Sequence, residues 1–339
     1  MSKRSNPPQA MVFCGIDVSA VTLQVAVIHS AEPLEQHAFS NTVRGHQALI
    51  GWLHQRGHTA RVSLEATGIY SMDLALALDA ARGIEVAVLN PKAVHRFAIT
   101  LRRSKTDSAD AQALAEYSRR MPFTAWRAPS PEALRLRTLS RHIDSLTVQS
   151  TRETNRLHAA QGSASTPRCV LSDLKRSLTS LHRRILGLRR EALKLIRANA
   201  TLLQRFQLLT STPGIAQISA LQLLAELALL SPEMSVRQWV AHSGLDPAHQ
   251  ISGTSLHKPS RISRAGNRHL RRVLYMPALV AIQHDPHLRA FYKTLLARHK
   301  AKLQALIAVA RKLLHAIYGI LKTNTPYDGQ KLFPNLIHP

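Results

Sequence analysis

The sequence predicts a mixed α/β domain at the front, then a helical hairpin and a mainly helical remainder. Three observations carry this reading. Five short β-rich runs lie before Pro91, three in succession and two more each preceded by a helical stretch, which is the order of a mixed sheet covered by helices. Beyond Pro131 apolar residues recur at helical spacing almost to the end of the chain. The chain has 339 residues, 45% of them apolar and 19% charged, enough for two or three globular domains.

The elements follow in order. Val12–Val27 holds an apolar run ending in Gly15-Ile16-Asp17, a short polar turn and a second run over Thr22–Ile28, which reads as a hairpin. Asp17 then sits where the first strand leaves the sheet, facing solvent or a metal, because an unpaired buried carboxylate is expensive. Gln36–Asn41 is a third strand, His46–Gln55 a helix, Arg61–Glu65 a fourth strand, Tyr70–Ala81 a helix closed by Gly83, and Glu85–Asn90 a fifth strand stopped by Pro91. Ligands of such sheets gather where strands end.

Lys92–Met121 is helical, interrupted by the basic turn Arg102-Arg103-Ser104-Lys105-Thr106. Pro122–Pro131 breaks the chain and places the first boundary, giving domains 1–125, 126–200 and 201–339. In the second, Glu132–His158 and Leu171–Ile196 are amphipathic helices around the turn Gly162–Pro167; they predict an antiparallel hairpin or coiled coil, or a bundle packed on its own domain. In the third, Thr212-Pro213-Gly214-Ile215 precedes an apolar helix, so the segment reads equally as a helix-hairpin-helix or as an ordinary connector. Ser235–Ser243 is a short helix, Gln250–Ser263 a loop or short hairpin, and Ala265–Gln283, Pro286–Arg298 and Ala301–Leu321 close the fold as helices.

Charge narrows the function. Lys and Arg number 45 against 20 Asp and Glu, a net +25 spread from Arg4 to Lys331. A positive field over the whole chain points to a polyanionic partner, nucleic acid above all. Two cysteines, Cys14 in the apolar first strand and Cys169, exclude a disulfide framework or a CxxC zinc site. The 18 histidines show no HExxH spacing. Met1–Met11 contains no secretory apolar core. The longest apolar helix in this reading, Leu221–Leu230, is short and contains Glu226, so no membrane span is expected. The expected compartment is a reducing cytoplasm.

Four acids stand out by position. Asp17 ends strand one, Glu65 ends strand four, and Asp107 and Asp110 lie three apart at a helix start, on one helical face. If the two strands are neighbours and that helix crosses their ends, the carboxylates converge. Grouped like charges are stable only with cations, and oxygen-only ligands suit one or two Mg²⁺ ions acting on a phosphodiester. Each acid alone has a plainer role: Asp107 as helix cap, Asp110 as dipole partner, Glu65 in an ion pair. Arg102, Arg103 and Lys105 beside Asp107 suit a bound strand or a solvated turn.

The motifs GIDVS at 15–19, LEATGIY at 64–70, NPK at 90–92 and SKTDSADAQALAE at 104–116 resemble the RuvC-like (RNase H-like) DEDD domain of IS-one-ten-type transposases. STPGI at 211–215, HSGLDP at 242–247, SGTS at 252–255 and RISRAGNRHLRRVLYMPAL at 261–279 resemble that family's C-terminal transposase domain. The resemblance implies an insertion-sequence recombinase with a RuvC-like N-terminal domain, a coiled-coil dimerisation hairpin and a helical C-terminal domain. It implies Mg²⁺ at Asp17, Glu65, Asp107 and Asp110, and Ser252 as the nucleophile of a covalent phosphoserine link. It further implies a structured non-coding guide RNA that pairs with donor and target DNA, and homodimers that pair into tetramers with composite active sites.

Chemistry is compatible with this. A serine hydroxyl needs activation, and a covalent link conserves phosphodiester energy for strand exchange. Lys258, Arg261, Arg264, Arg268, Arg271 and Arg272 follow Ser252 and suit phosphate. Ser255 and Ser260 are chemically equivalent to Ser252, and only the resemblance selects among them. His257-Lys258 departs from the Arg-Gly common in relatives. Dispersed charge with 5% aromatic residues fits backbone binding with base pairing supplying specificity, and equally non-specific DNA binding. The alternative is a RuvC-like metal-dependent junction or structure-specific nuclease that does not use Ser252. An actin-like ATPase lacks its second Gly-rich phosphate loop here, and a non-enzymatic nucleic-acid organiser leaves the four acids without a role.

Overall fold

The computed structural model describes residues 11–29, 34–57, 59–66, 68, 70–101, 106–252 and 256–332. The chain divides into two compact units, Met1–Ala128 and Pro129–Pro339.

The first unit is built on a five-stranded sheet: β1 (Met11–Val18), β2 (Thr22–Ile28), β3 (Glu35–Ser40), β4 (Thr59–Glu65) and β5 (Ile84–Leu89). Its spatial order is β3-β2-β1-β4-β5, with β1–β2 and β2–β3 antiparallel and β1–β4 and β4–β5 parallel. This mixed sheet is consistent with an RNase H-like domain. α1 (Val43–His54) and α2 (Met72–Ala80) provide the crossovers that parallel neighbours need. On β1 the residues alternate: Val12, Cys14, Ile16 and Val18 bury themselves against Leu49 and Leu53 of α1 and Leu74 and Leu78 of α2. Cys14 is fully buried, which pushes its thiol far up, so it stays a neutral core group.

The other face carries Phe13, Gly15 and Asp17. After α3 (Pro91–Leu101), α4 (Asp107–Arg120) crosses this face. Ala111 and Ala115 of α4 meet Ala26, Ile28 and Phe13. The approach is so close that a Cβ on Gly15 would stand 2.1 Å from the Ala111 carbonyl oxygen and 2.2 Å from the Ala115 nitrogen. Only glycine fits, and only a helix with small residues on that side can lie there. Gly15→Ala must push backbone against backbone, so a loss of about 3 kcal/mol of stability is expected, read as a lowered melting temperature with a displaced α4.

The second unit opens with α5 (Pro131–Gln161) and α6 (Arg168–Ala198), which pack as the expected helical hairpin. Pro131 stands in the first helical position behind the Ser130 cap, where a missing N–H is harmless. Leu136, Ile143, Leu146, Leu181 and Ile185 join the core of the helices that follow, so the hairpin's base belongs to one apolar core with the C-terminal part. Those helices are α7 (Ala200–Thr210), α8 (Gln217–Leu227), α9 (Val236–Ser243), α10 (Arg268–Val273), α11 (Tyr275–His284), α12 (Pro286–Ala297) and α13 (Lys302–Thr323). Between α9 and α10 lies an antiparallel hairpin, β6 (Pro247–Ser252) and β7 (Leu256–Ile262).

One expectation is corrected. Leu221–Leu230 is not the longest apolar helix, because α13 is the described helix long and apolar enough, by length and composition, to cross a membrane. Half of its apolar window is buried, and Val309, Leu313 and Ile317 have no exposure. α13 packs against α7, α9, α11 and α12 and is the central core helix of this unit. The Pro-Gly turn between α7 and α8 also packs inward. Gly214, at φ +87°, brings its Cα against Pro277 and Ala281 of α11, where a Cβ would meet the Pro277 carbonyl oxygen at 2.5 Å.

Candidate active site

β1 and β4 run parallel in register, Ile16 opposite Leu64, so Asp17 and Glu65 leave the sheet side by side. α4 then brings Asp107 and Asp110 over the same strand ends. Thr106 caps this helix, its hydroxyl accepting from the Ala109 N–H at 3.2 Å. Asp107 is therefore not the cap, and its carboxylate is exposed. Asp17, Glu65 and Asp110 are half-buried.

The four acids share one electrostatic field. Burial pushes the Asp17 carboxyl up to about 6, and the charges of Asp107, Asp110 and Glu65 push it the same way, against a lowering hydrogen bond from the Val18 N–H. No group of three or more His, Cys, Asp and Glu among the described residues is arranged to hold a metal ion. The donor set itself, four carboxylates and no soft ligand, fits a hard divalent cation.

Residues that pattern reading passes over hold this end of the sheet together. Asn41, just past β3, donates its side-chain amide to Ser19 O at 2.7 Å and to Tyr70 O at 3.1 Å. It thus ties the turn after Asp17 to the loop after Glu65. His46 Nε2 donates to Asn41 Oδ1 at 2.8 Å. Asn41 spends its amide N–H groups on the two carbonyls, so its Oδ1 accepts and the His46 ring carries its proton on Nε2; burial lowers the pKa of His46, only partly countered by Asp73. Gln36 on β3 and Ser108 on α4 exchange two hydrogen bonds, at 2.7 and 3.2 Å, anchoring the start of the acid-bearing helix. Asn41 reads in the sequence as the last residue of the third strand, whereas β3 ends at Ser40; a glycine inside a strand, Gly15, does signal close backbone approach.

The remaining predicted residues lie in the second unit or outside the description. Arg102, Arg103 and Lys105 lie outside the described residues. Ser252 is the last residue of β6, paired with Leu256, and Lys258 lies within β7. Arg261, Arg264 and Arg268 are exposed. Arg271 is half-buried and donates to Ser243 O at 2.9 Å, closing the end of α9. Arg272 pairs with Asp144 of α5 at 3.0 Å.

The second unit also holds a buried carboxylate, Glu226 of α8, only 4% exposed. Burial alone would raise its pKa, but hydrogen bonds from Arg141 and Asn267 outweigh that and hold it below the usual carboxylate range. Arg141 donates through two nitrogens at 2.9 Å each, and the Asn267 amide donates at 2.6 Å. Asn267 also caps α10, so one acid fixes α5, α8 and the helix that follows the Ser252 hairpin.

Residues 14–161 match a transposase family, the DEDD transposases of IS110 type, and residues 206–293 match the transposase IS116/IS110/IS902 family. The chain is 30% identical over 326 residues to the pilin gene-inverting protein of Moraxella bovis, covering 93% of this chain and 97% of that protein, and equally so to that of Moraxella lacunata. It is 29% identical over 161 residues to an uncharacterized IS110 insertion-element protein of Streptomyces coelicolor, covering 48% of this chain and 38% of that one. Matched in order through both units, and nearly end to end by two of these relatives, the chain belongs to the IS110/IS116/IS902 family of transposases.

Proposed function

We propose that this transposase cuts and exchanges DNA strands with Ser252 as nucleophile and with Asp17, Glu65, Asp107 and Asp110 holding one or two Mg²⁺ ions. The observation that carries this is the common field on Asp17, which three other acids raise together. Bound Mg²⁺ would offset their repulsion and neutralise charge on the phosphate. The Ser252 Oγ forms a bond to phosphorus while one bridging P–O bond breaks, and the leaving oxygen takes up a proton. A hydroxyl of the partner strand then attacks the phosphoserine, and the serine regains its proton. The count of phosphodiester bonds is unchanged, so no external energy source is required. The relatives named for inverting a pilin gene support this reading, because inversion rejoins what it cuts.

The acids stand in the first unit and Ser252 in the second, which suits a site completed between protomers of a homodimer, two of which form a tetramer. The distal part of the α5–α6 hairpin supports such an assembly. From 151 to 180 neither helix buries a residue, although Leu157, Leu171, Leu174 and Leu178 recur there, as a coiled-coil arm awaiting a second copy would show. In this reading 126–200 is the dimerisation hairpin between the 1–125 catalytic domain and the 201–339 transposase domain.

Arg261, Arg264 and Arg268, with Lys258, Arg102, Arg103 and Lys105, contact phosphate, while Arg271 and Arg272 brace the fold. Specificity comes from a structured non-coding RNA pairing with donor and target DNA in the bacterial cytoplasm, which fits dispersed charge and few aromatic residues. The test is strand exchange by full-length protein with its co-purified RNA and Mg²⁺. Ribonuclease treatment is expected to abolish cutting at defined sites and leave salt-sensitive DNA binding. Site-specific exchange by RNA-free protein overturns the guided reading.

A further inference from the structure

We propose that a cleft at the base of the β6–β7 hairpin seats one unpaired nucleotide of the nucleic acid on which the protein works; this rests on the proposed function. The cleft holds about 650 Å³ and lies between β7, the start of α11 and α13, a volume in the range of small-ligand pockets. Ile262 and Ile307 contribute to an apolar floor, Tyr275 stands at the side, and Arg261, Arg264 and Arg311 complete the lining.

Three features select the ligand class. First, no carboxylate lines the cleft among the described residues. Its arginines contrast with Arg141 and Arg272, which are spent on Glu226 and Asp144. An anion is favoured and a cation excluded. Second, the apolar floor is wasted on phosphate alone but suits the flat face of a base. Tyr275, 39% exposed at the first turn of α11, offers the stacking surface on which single-stranded nucleic acids rest. Third, Arg264 is held at φ 54°, uncommon for a side chain with a Cβ, with its N–H bonded to Gly244 O at 3.2 Å. Such conformations persist where the surroundings fix them and often mark binding sites.

The cleft is also near the proposed chemistry. From Leu256, which pairs with Ser252, to Arg261 the strand spans roughly 17 Å. A base a few nucleotides from the cut phosphodiester, drawn out of the stack, would reach the floor while its phosphate meets the arginines.

The experiment uses full-length protein and short oligothymidylate, intact, abasic, or carrying a single iodouracil. Two variants are compared with wild type: Tyr275→Ala, and Leu303→Asp, which sets a carboxylate at a lining position already 61% exposed. Wild type is expected to bind the intact strand about tenfold more tightly than the abasic one. Both variants should lose that preference, and the irradiated iodouracil strand should attach to the peptide containing Tyr275. Equal binding of intact and abasic strands by wild type overturns the proposal. So does attachment elsewhere, or a Leu303→Asp variant that changes oligomeric state while keeping the preference, which would assign the cleft to a second copy. If wild type binds no nucleic acid at all, the proposed function fails before the cleft is at issue.

Discussion

Asp17→Asn is expected to abolish strand cleavage while making the cation-free protein more stable at neutral pH. Both effects come from the same field. The Asp17 carboxyl is raised to about 6 by burial and by the charges of Asp107, Asp110 and Glu65. A group whose folded pKa lies above its unfolded value contributes full stability below the unfolded value and loses it as pH rises through the folded one. Without divalent cation, the stability that Asp17→Asn gains over wild type should therefore grow from near pH 5 to near pH 7. Asparagine has no charge to repel, and the histidines whose pKa burial lowers, His46 among them, are common to both proteins, so their loss of stability toward pH 5 cancels in the comparison. Cleavage should fall about a thousandfold or more, because cation stabilisation of the transferring phosphoryl group amounts to several kcal/mol. A differential scan and a cleavage assay on the same preparation separate lost chemistry from lost folding. A variant that cuts within a few-fold of wild type, or a stability difference between Asp17→Asn and wild type that does not grow from pH 5 to 7, removes the acidic centre from the mechanism.

Ser252→Ala should eliminate the covalent protein–DNA adduct and, with it, strand exchange. Loss of a nucleophile that acts as a unit with its site lowers turnover by about 10⁴- to 10⁶-fold. Labelled DNA that remains with protein through a denaturing gel reports the adduct directly. Ser255→Ala and Ser260→Ala serve as controls, since both serines stand near Ser252 in the sequence, and both should keep the adduct. A junction-type nuclease would give the opposite pattern: Ser252→Ala would cut as well as wild type, and no variant would ever form an adduct. Transfer of the adduct to the Ser255 or Ser260 position would keep serine chemistry but move the nucleophile.

Much of the fold was legible because it depends on local pattern. The hairpin at Val12–Val27, the breaks at Pro91 and Pro131 and the turn at 162–167 each follow from period and punctuation within a few residues, and the structure places β1–β2, β5, α5 and α6 accordingly. Helix starts were less legible: α2 begins at Met72 and not Tyr70, and α1 at Val43 and not His46, because caps and first turns carry little periodicity. The apolar length of α13 was read as helix but not weighed against Leu221–Leu230. Its role as the central core helix comes from packing against four neighbours.

By itself the sequence determined the order of elements, the positive field, and four acids poised at strand and helix ends, because each depends on residue type and short-range spacing. Only the tertiary structure decided which acids act on one another. That depended on β4 lying beside β1 and on α4 meeting the strand at Gly15, contacts between residues roughly fifty to a hundred positions apart, whose pairing no local period encodes. The same holds for the basic residues. Arg271 and Arg272 look like Arg268 in a linear motif, yet the first is drawn to a helix end and the second to Asp144, because a cation takes the nearest acceptor the fold provides.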